Sequence, residues 1–185
     1  MDEEFWNNLG AERKEPATIS TKVKSFGKAI SGDGLYPNER HALLKLSDGT
    51  FTRGNYIGPG TRVVQRVVYD HSEPKTEVDK VAMAHDIRYS FARNADDIRQ
   101  ADIKMINKVN DIDAKGQDSK WNISQAKLIG AKIKLEDVGI MNKGSFGGLD
   151  QPKEYNDQER QSMEVVLNSL AQQGYGRRRP QVQYF

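Results

Sequence analysis

The chain has 185 residues, of which 36% are hydrophobic and 29% charged, and its 28 basic and 26 acidic side chains leave a net charge of +2; mean hydropathy is −0.77. This suits one domain with solvated arms and argues against wholesale nucleic-acid coating. The absence of cysteine excludes a disulfide framework, cysteine-ligated zinc, an iron–sulfur cluster and a thiol nucleophile.

Residues 1–35 read as an N-terminal arm. Its start, Met1-Asp2-Glu3-Glu4, is acidic where a secretory signal is basic and then apolar, and Asp2 excludes an N-myristoyl glycine. Thr21 to Ile30 suits a short basic amphipathic helix, ended by Gly32-Asp33-Gly34. Leu43, Leu44 and Leu46, then Asp48-Gly49, then Thr50-Phe51-Thr52, predict a hairpin with a tight turn. Residues 54–60, Gly-Asn-Tyr-Ile-Gly-Pro-Gly, predict an irregular loop. In Arg62 to Tyr69, composition favours a strand and the spacing of Val63, Val64, Val67 and Val68 favours a helix.

Two helices are expected next, at about 77–94 and 96–110. Val78, Val81, Ala82, His85, Tyr89 and Ala92 form one helical stripe; Ile98, Ala101, Asp102, Met105, Ile106 and Val109 form the other. A third helix is expected at about 124–138 and a last one at 157–172, with Met163, Val166, Leu167 and Leu170 aligned. Gly144 to Gly148 reads as a linker, and residues 174–185, with Arg177-Arg178-Arg179, as a mobile basic tail. No apolar run approaches ~18 residues, so no membrane-spanning helix is expected. The fold class is therefore mainly α, with a small β-hairpin and flexible termini. The expected division is 1–35 arm, 36–143 domain, and 144–185 linker, amphipathic helix and tail.

His85, Tyr89 and Asp102 are polar residues on apolar stripes. A carboxylate buried on a helix–helix seam needs a partner, and antiparallel packing would let Asp102 hold one nitrogen of His85, with Tyr89 one turn away. The other nitrogen would then be free to take a proton from water as a general base. A core histidine with merely satisfied polar needs is the competing account, and periodicity leaves both open. Asp86 projects about 100° around the helix from His85. Facing the 56–60 loop, its carboxylate and the loop carbonyls would make a Ca²⁺ site of hard oxygens, although the loop alone reads as an ordinary turn.

Tyr56-Ile57-Gly58-Pro59-Gly60 followed by His85-Asp86-Ile87-Arg88-Tyr89 resembles the phospholipase A2 signature. It is most similar to the cysteine-free form of parvovirus minor capsid proteins, over about residues 50–110. The pattern there is Tyr-x-Gly-Pro-Gly, His-Asp-x-x-Tyr, and a second helix bearing an aspartate, best matched here by Asp102. The resemblance implies His85 as base, Asp102 and Tyr89 as its support, and Ca²⁺ held by the carbonyls of Tyr56, Gly58 and Gly60 and the Asp86 side chain. It also implies sn-2 ester hydrolysis at a phospholipid membrane surface, in a virion component made in the host cytoplasm or nucleus and used to breach a host membrane. Viral capsid proteins are the implied protein partners. Two departures stand out. Thr61 replaces the family's Asn after Gly-Pro-Gly, and the stretch from Gly60 to His85 is long.

Asp96 and Asp97, rival supporting acids, sit at a helix start where acids cap. His41 and His71 read as surface or loop residues. Trp121 and Phe91 read as core or partly buried, with lipid anchoring as the alternative. Lys127, Lys132 and Lys134 read as a solvated face, with anionic lipid as the alternative. Arg177 to Arg179 is a short run for nucleic-acid binding. The rival to an enzyme is a structural protein that keeps the fold and binds capsid or nucleic acid; a cellular lipase-like protein is a third reading.

Overall fold

The computed structural model describes residues 31–33, 36, 39–137 and 155–175. Three short strands, β1 (Ser31–Asp33), β2 (Arg40–Lys45) and β3 (Phe51–Arg53), form an antiparallel sheet in that order. A π-helical turn (Gln65–Tyr69) precedes four helices: α1 (Glu77–Phe91), α2 (Ala95–Lys115), α3 (Lys120–Asp137) and α4 (Asp157–Gln172). The chain is mainly helical, as expected.

The β2–β3 hairpin forms with Leu44 opposite Thr52 and Lys45 opposite Phe51. Gly49 takes φ +88° at the turn, in open space, which is the left-handed geometry that Asp-Gly supplies. The expected arm contributes β1, whose Ser31 pairs with Ala42, so the segment read as a helix stop is an edge strand. The expected helix before it lies outside the described residues, as do the 144–148 linker and Arg177 to Arg179.

The 62–69 stretch resolves as helix. Val63 and Val67 are buried, and Val64 and Val68 pack against the same core, so spacing outweighs β-branched composition once one face is buried. Thr76 caps α1, accepting from the Asp79 backbone N–H, and the helix ends at Phe91, three residues short of the expected end. Asn94 instead caps α2, accepting from the N–H groups of Asp96 and Asp97. Those two acids sit in the first turn and are exposed. Gly116, at φ +61°, closes α2.

Helix α1 is buried on more than its expected stripe: Met83, Ala84 and Ile87 join Val78, Val81 and Ala82. The reason is that α2, α3 and α4 all pack around it, which leaves little of its surface to solvent. Helix α4 follows a full Asn156–Glu159 capping box and buries Met163 and Leu170 in the shared core. Tyr175, in the stretch read as a mobile tail, is buried. The ammonium groups of Lys80 and Lys108 stand 5.1 and 4.5 Å from its ring centroid, and its carbonyl accepts from Arg88 at 2.7 Å.

Candidate active site

The site lies where α1, α2 and the 54–61 loop meet. His85 Nε2 stands 2.8 Å from Asp102 Oδ1 across the α1–α2 seam. Both side chains are largely buried, 13% and 5% exposed, so the pair is shielded from competing water. The two polar intruders on the apolar stripes therefore satisfy each other. His85 Nδ1 faces Asp86 Oδ1 at 3.4 Å. The Tyr89 ring packs on the imidazole, tilted, with centroids 4.7 Å apart.

Burial disfavours a charged imidazole, but the bonds to Asp102 and Asp86 outweigh it and raise His85 to about 9. Asp86 moves up as well, because burial outweighs its contacts with His85 and Thr61. Its Oδ2 is buried and has no hydrogen-bond partner. An unpaired buried carboxylate oxygen costs free energy unless a cation or proton meets it.

The loop facing Asp86 has an uncommon geometry. Gly58 has φ +154°, and a Cβ there would stand 1.9 Å from the Arg40 carbonyl oxygen, so only glycine fits. Gly60, at φ +82°, is exposed. The carbonyls of Tyr56 and Gly58 both lie 3.2 Å from Thr61 Oγ1, and the Asp86 carboxylate is a neighbour of that hydroxyl. Three of the oxygens expected to hold Ca²⁺ thus gather around one hydroxyl. Neutral carbonyls plus one carboxylate form a hard-oxygen donor set of the kind calcium takes. The orphaned Asp86 oxygen gives that set a reason to bind a cation. Among the described residues no group of three or more His, Cys, Asp or Glu side chains could hold a metal, so any metal here would depend on backbone oxygens.

Three supporting residues are absent from the sequence reading. Asp79, on the first turn of α1, is fully buried. Its Oδ1 accepts from the N–H groups of Tyr56 and Ile57 at 2.9 and 3.0 Å, and its Oδ2 from those of Asn55 and Lys75, both at 2.9 Å. One carboxylate thus ties the loop to the helix that carries His85. An acid six residues before His85 is the only signal of it in the sequence, and it reads as an ordinary first-turn acid. Glu39 and Arg66 form a buried ion pair at 2.6 Å, and Glu39 also accepts from the Arg62 and Tyr36 N–H groups. This pair fastens the π-helical turn to the strand end beside the loop.

His41 corrects the expectation of a surface residue: it is fully buried. Its Nδ1 lies 2.8 Å from the Gly54 carbonyl and its Nε2 3.3 Å from Thr61 Oγ1. Burial lowers its proton affinity, and nearby Arg66 adds to that effect. His71 is exposed, as expected. Trp121 stays 40% exposed, meets Phe51 edge-on at 5.7 Å and donates to the Leu43 carbonyl. Phe91 is partly buried under Arg160.

Among known proteins, a protein translocase subunit SecA from Prochlorococcus marinus is 26% identical over 151 residues, which is 80% of this chain and 15% of that protein. The chain thus spans a small fraction of that relative's length. No solved structure matches. A family profile described as phospholipase A2-like domain matches residues 49–134, a span holding the 56–60 loop, His85, Asp86, Tyr89 and Asp102. Residues 49–134 form a phospholipase A2-like domain.

Proposed function

We propose that the chain is a Ca²⁺-dependent phospholipase A2 acting on the sn-2 ester of membrane phospholipids. The observation that carries this reading is the His85–Asp102 bond at 2.8 Å, with Nδ1 turned toward a buried carboxylate that has an unpaired oxygen. Asp102 holds the proton on Nε2 and fixes the ring, so Nδ1 is the nitrogen that takes a proton from water. The water oxygen attacks the sn-2 carbonyl carbon. His85 then returns the proton to the departing glycerol oxygen, and a fatty acid and a lysophospholipid are released. Tyr89 buttresses the imidazole face, and the Gly58 N–H is the loop donor suited to the developing oxyanion. The residues that would hold Ca²⁺ are Tyr56, Gly58 and Gly60 through their carbonyls and Asp86 through its carboxylate. Bound there, Ca²⁺ would polarise the ester carbonyl and stabilise negative charge on its oxygen.

A protonated His85 cannot act as a base. The proton that Asp86 helps to hold would be released more readily once a dication neutralises that carboxylate. Filling the Asp86 site with a dication would thus favour the neutral form of His85 that can act as a base.

The setting we propose is a virion, with the activity used to breach a host membrane. The cysteine-free form of the signature supports this, since secreted relatives of the motif depend on disulfides. No described helix is long and apolar enough to cross a membrane, so attachment would be peripheral. Capsid proteins are the protein partners proposed, and Arg177 to Arg179 a secondary contact to nucleic acid. The test is His85→Gln in the full chain. It should abolish Ca²⁺-dependent fatty-acid release from phosphatidylcholine vesicles while leaving the melting temperature in place. Retained release would refute the assignment of the base, and a wild-type chain that releases nothing would favour the structural-protein reading.

A further inference from the structure

Thr61 Oγ1 is surrounded by acceptors. The Tyr56 and Gly58 carbonyl oxygens lie at 3.2 Å, and His41 Nε2 lies at 3.3 Å. The Asp86 carboxylate is a fourth neighbour. The state of His41 follows from its other nitrogen. Nδ1 is 2.8 Å from the Gly54 carbonyl, which can only accept, so Nδ1 carries the ring proton and Nε2 offers a lone pair. The threonine hydroxyl has one proton and can satisfy one of these four groups.

The remaining acceptors then face the hydroxyl lone pairs in a half-buried site, an arrangement that calls for a cation between them. The spacing agrees. Neighbouring ligands in a calcium polyhedron with bonds of about 2.3–2.6 Å stand about 2.8–3.5 Å apart, which brackets the 3.2 Å separations here. His41 is suited to accept the hydroxyl's hydrogen bond because its Nε2 lies 3.3 Å from Thr61 Oγ1 with its lone pair available. Its ring is locked by the Gly54 bond and by complete burial, in the way outer partners orient metal ligands.

We propose that Thr61 Oγ1 is itself a ligand of the bound cation, a neutral side-chain oxygen added to the Tyr56, Gly58, Gly60 and Asp86 set, with His41 as the positioning residue that accepts its hydrogen bond. The assignment rests on the calcium reading above. It gives the loop a side-chain oxygen of its own and assigns a function to a buried histidine that the proton-transfer step does not use.

The test is calorimetric titration of the full chain with Ca²⁺, paired with melting curves in chelator. Wild type should bind one Ca²⁺ at this site. Thr61→Val, which keeps shape and removes the hydroxyl, should weaken binding about tenfold or more with little change in the chelator melting temperature. Thr61→Ala should do the same without adding a methyl near the loop, and Thr61→Ser should restore affinity to within about threefold. His41→Gln keeps an acceptor near the Nε2 position and should weaken binding less than His41→Leu. If wild type binds and both Thr61→Val and Thr61→Ala stay within about twofold of it, the ligand assignment is overturned. It is also overturned if those variants lose chelator stability in step with affinity, or fail to fold, because the hydroxyl then serves the fold. A wild-type chain that takes up no Ca²⁺ would instead sink the calcium reading itself.

Discussion

Asp79→Asn should cost the domain more than any other single-atom exchange near the site. The carboxylate accepts four backbone N–H groups, two on each oxygen, all at 2.9–3.0 Å. An asparagine keeps one accepting oxygen and puts an NH2 group where the other stood. Whichever way the amide turns, two N–H groups lose their acceptor and face a donor. Each orphaned donor costs about 1–3 kcal/mol, so the pair costs about 2–6 kcal/mol, a large share of a total stability of about 5–15 kcal/mol. At about 2–4 °C per kcal/mol for a chain of this size, a mid-range loss of about 4 kcal/mol lowers the melting temperature by about 8–16 °C. Urea unfolding followed by circular dichroism in chelator measures it directly, and hydrogen exchange should show the Tyr56 and Ile57 amides opening first. A loss below about 1 kcal/mol would mean that the loop is held by other contacts, and the account of Asp79 would be wrong.

Other outcomes follow from the same geometry. Asp102→Ala should lower kcat by about 10²-fold or more, with KM for vesicles little changed, since it removes the group that fixes the base and touches no lipid; unchanged kcat would disqualify Asp102. In chelator, the NMR titration of His85 should show a midpoint near 9 rather than the ordinary 6.5. Because that folded-state value is raised, the stability it contributes is fully present below about 6.5 and lost as pH rises through about 9; a midpoint at or below the ordinary value would refute this. Adding Ca²⁺ should move the midpoint down. Gly58→Ala forces a Cβ onto the Arg40 carbonyl at 1.9 Å and should cost about 3 kcal/mol or more. Gly49→Ala, with nothing within 4 Å of its Cβ, should carry only the positive-φ cost of about 1–2 kcal/mol; equal losses in urea titrations would contradict that contrast.

The parts of this molecule that are legible in its sequence are those written in local periodicity. The α1 and α2 stripes, the Asp-Gly hairpin and the span of α4 all follow from residues within two or three turns of one another. His85 and Asp102 stand out because each breaks an apolar stripe, and a buried polar group needs a partner. What is not legible depends on long-range pairing. Asp79 looks like any acid in a first helical turn, and its three loop partners, Asn55, Tyr56 and Ile57, lie twenty-two to twenty-four residues away. His41 gives no spacing signal, because its two contacts are to Gly54 and Thr61, across the hairpin and the loop. The Glu39–Arg66 pair spans 27 residues. Tyr175 reads as part of a mobile tail because its neighbours are glycine and arginine, yet cation–π contacts with Lys80 and Lys108 hold it in the core.

The central claim is that a histidine–aspartate pair beside a calcium loop cleaves the sn-2 ester. The most direct measurement uses phospholipid vesicles carrying different isotopic labels in the sn-1 and sn-2 acyl chains, with the full chain in Ca²⁺ or in chelator. The account predicts release of the sn-2 label alone, with lysophospholipid in equal amount, only when Ca²⁺ is present. Release of both labels, or equal sn-2 release in chelator, would contradict it.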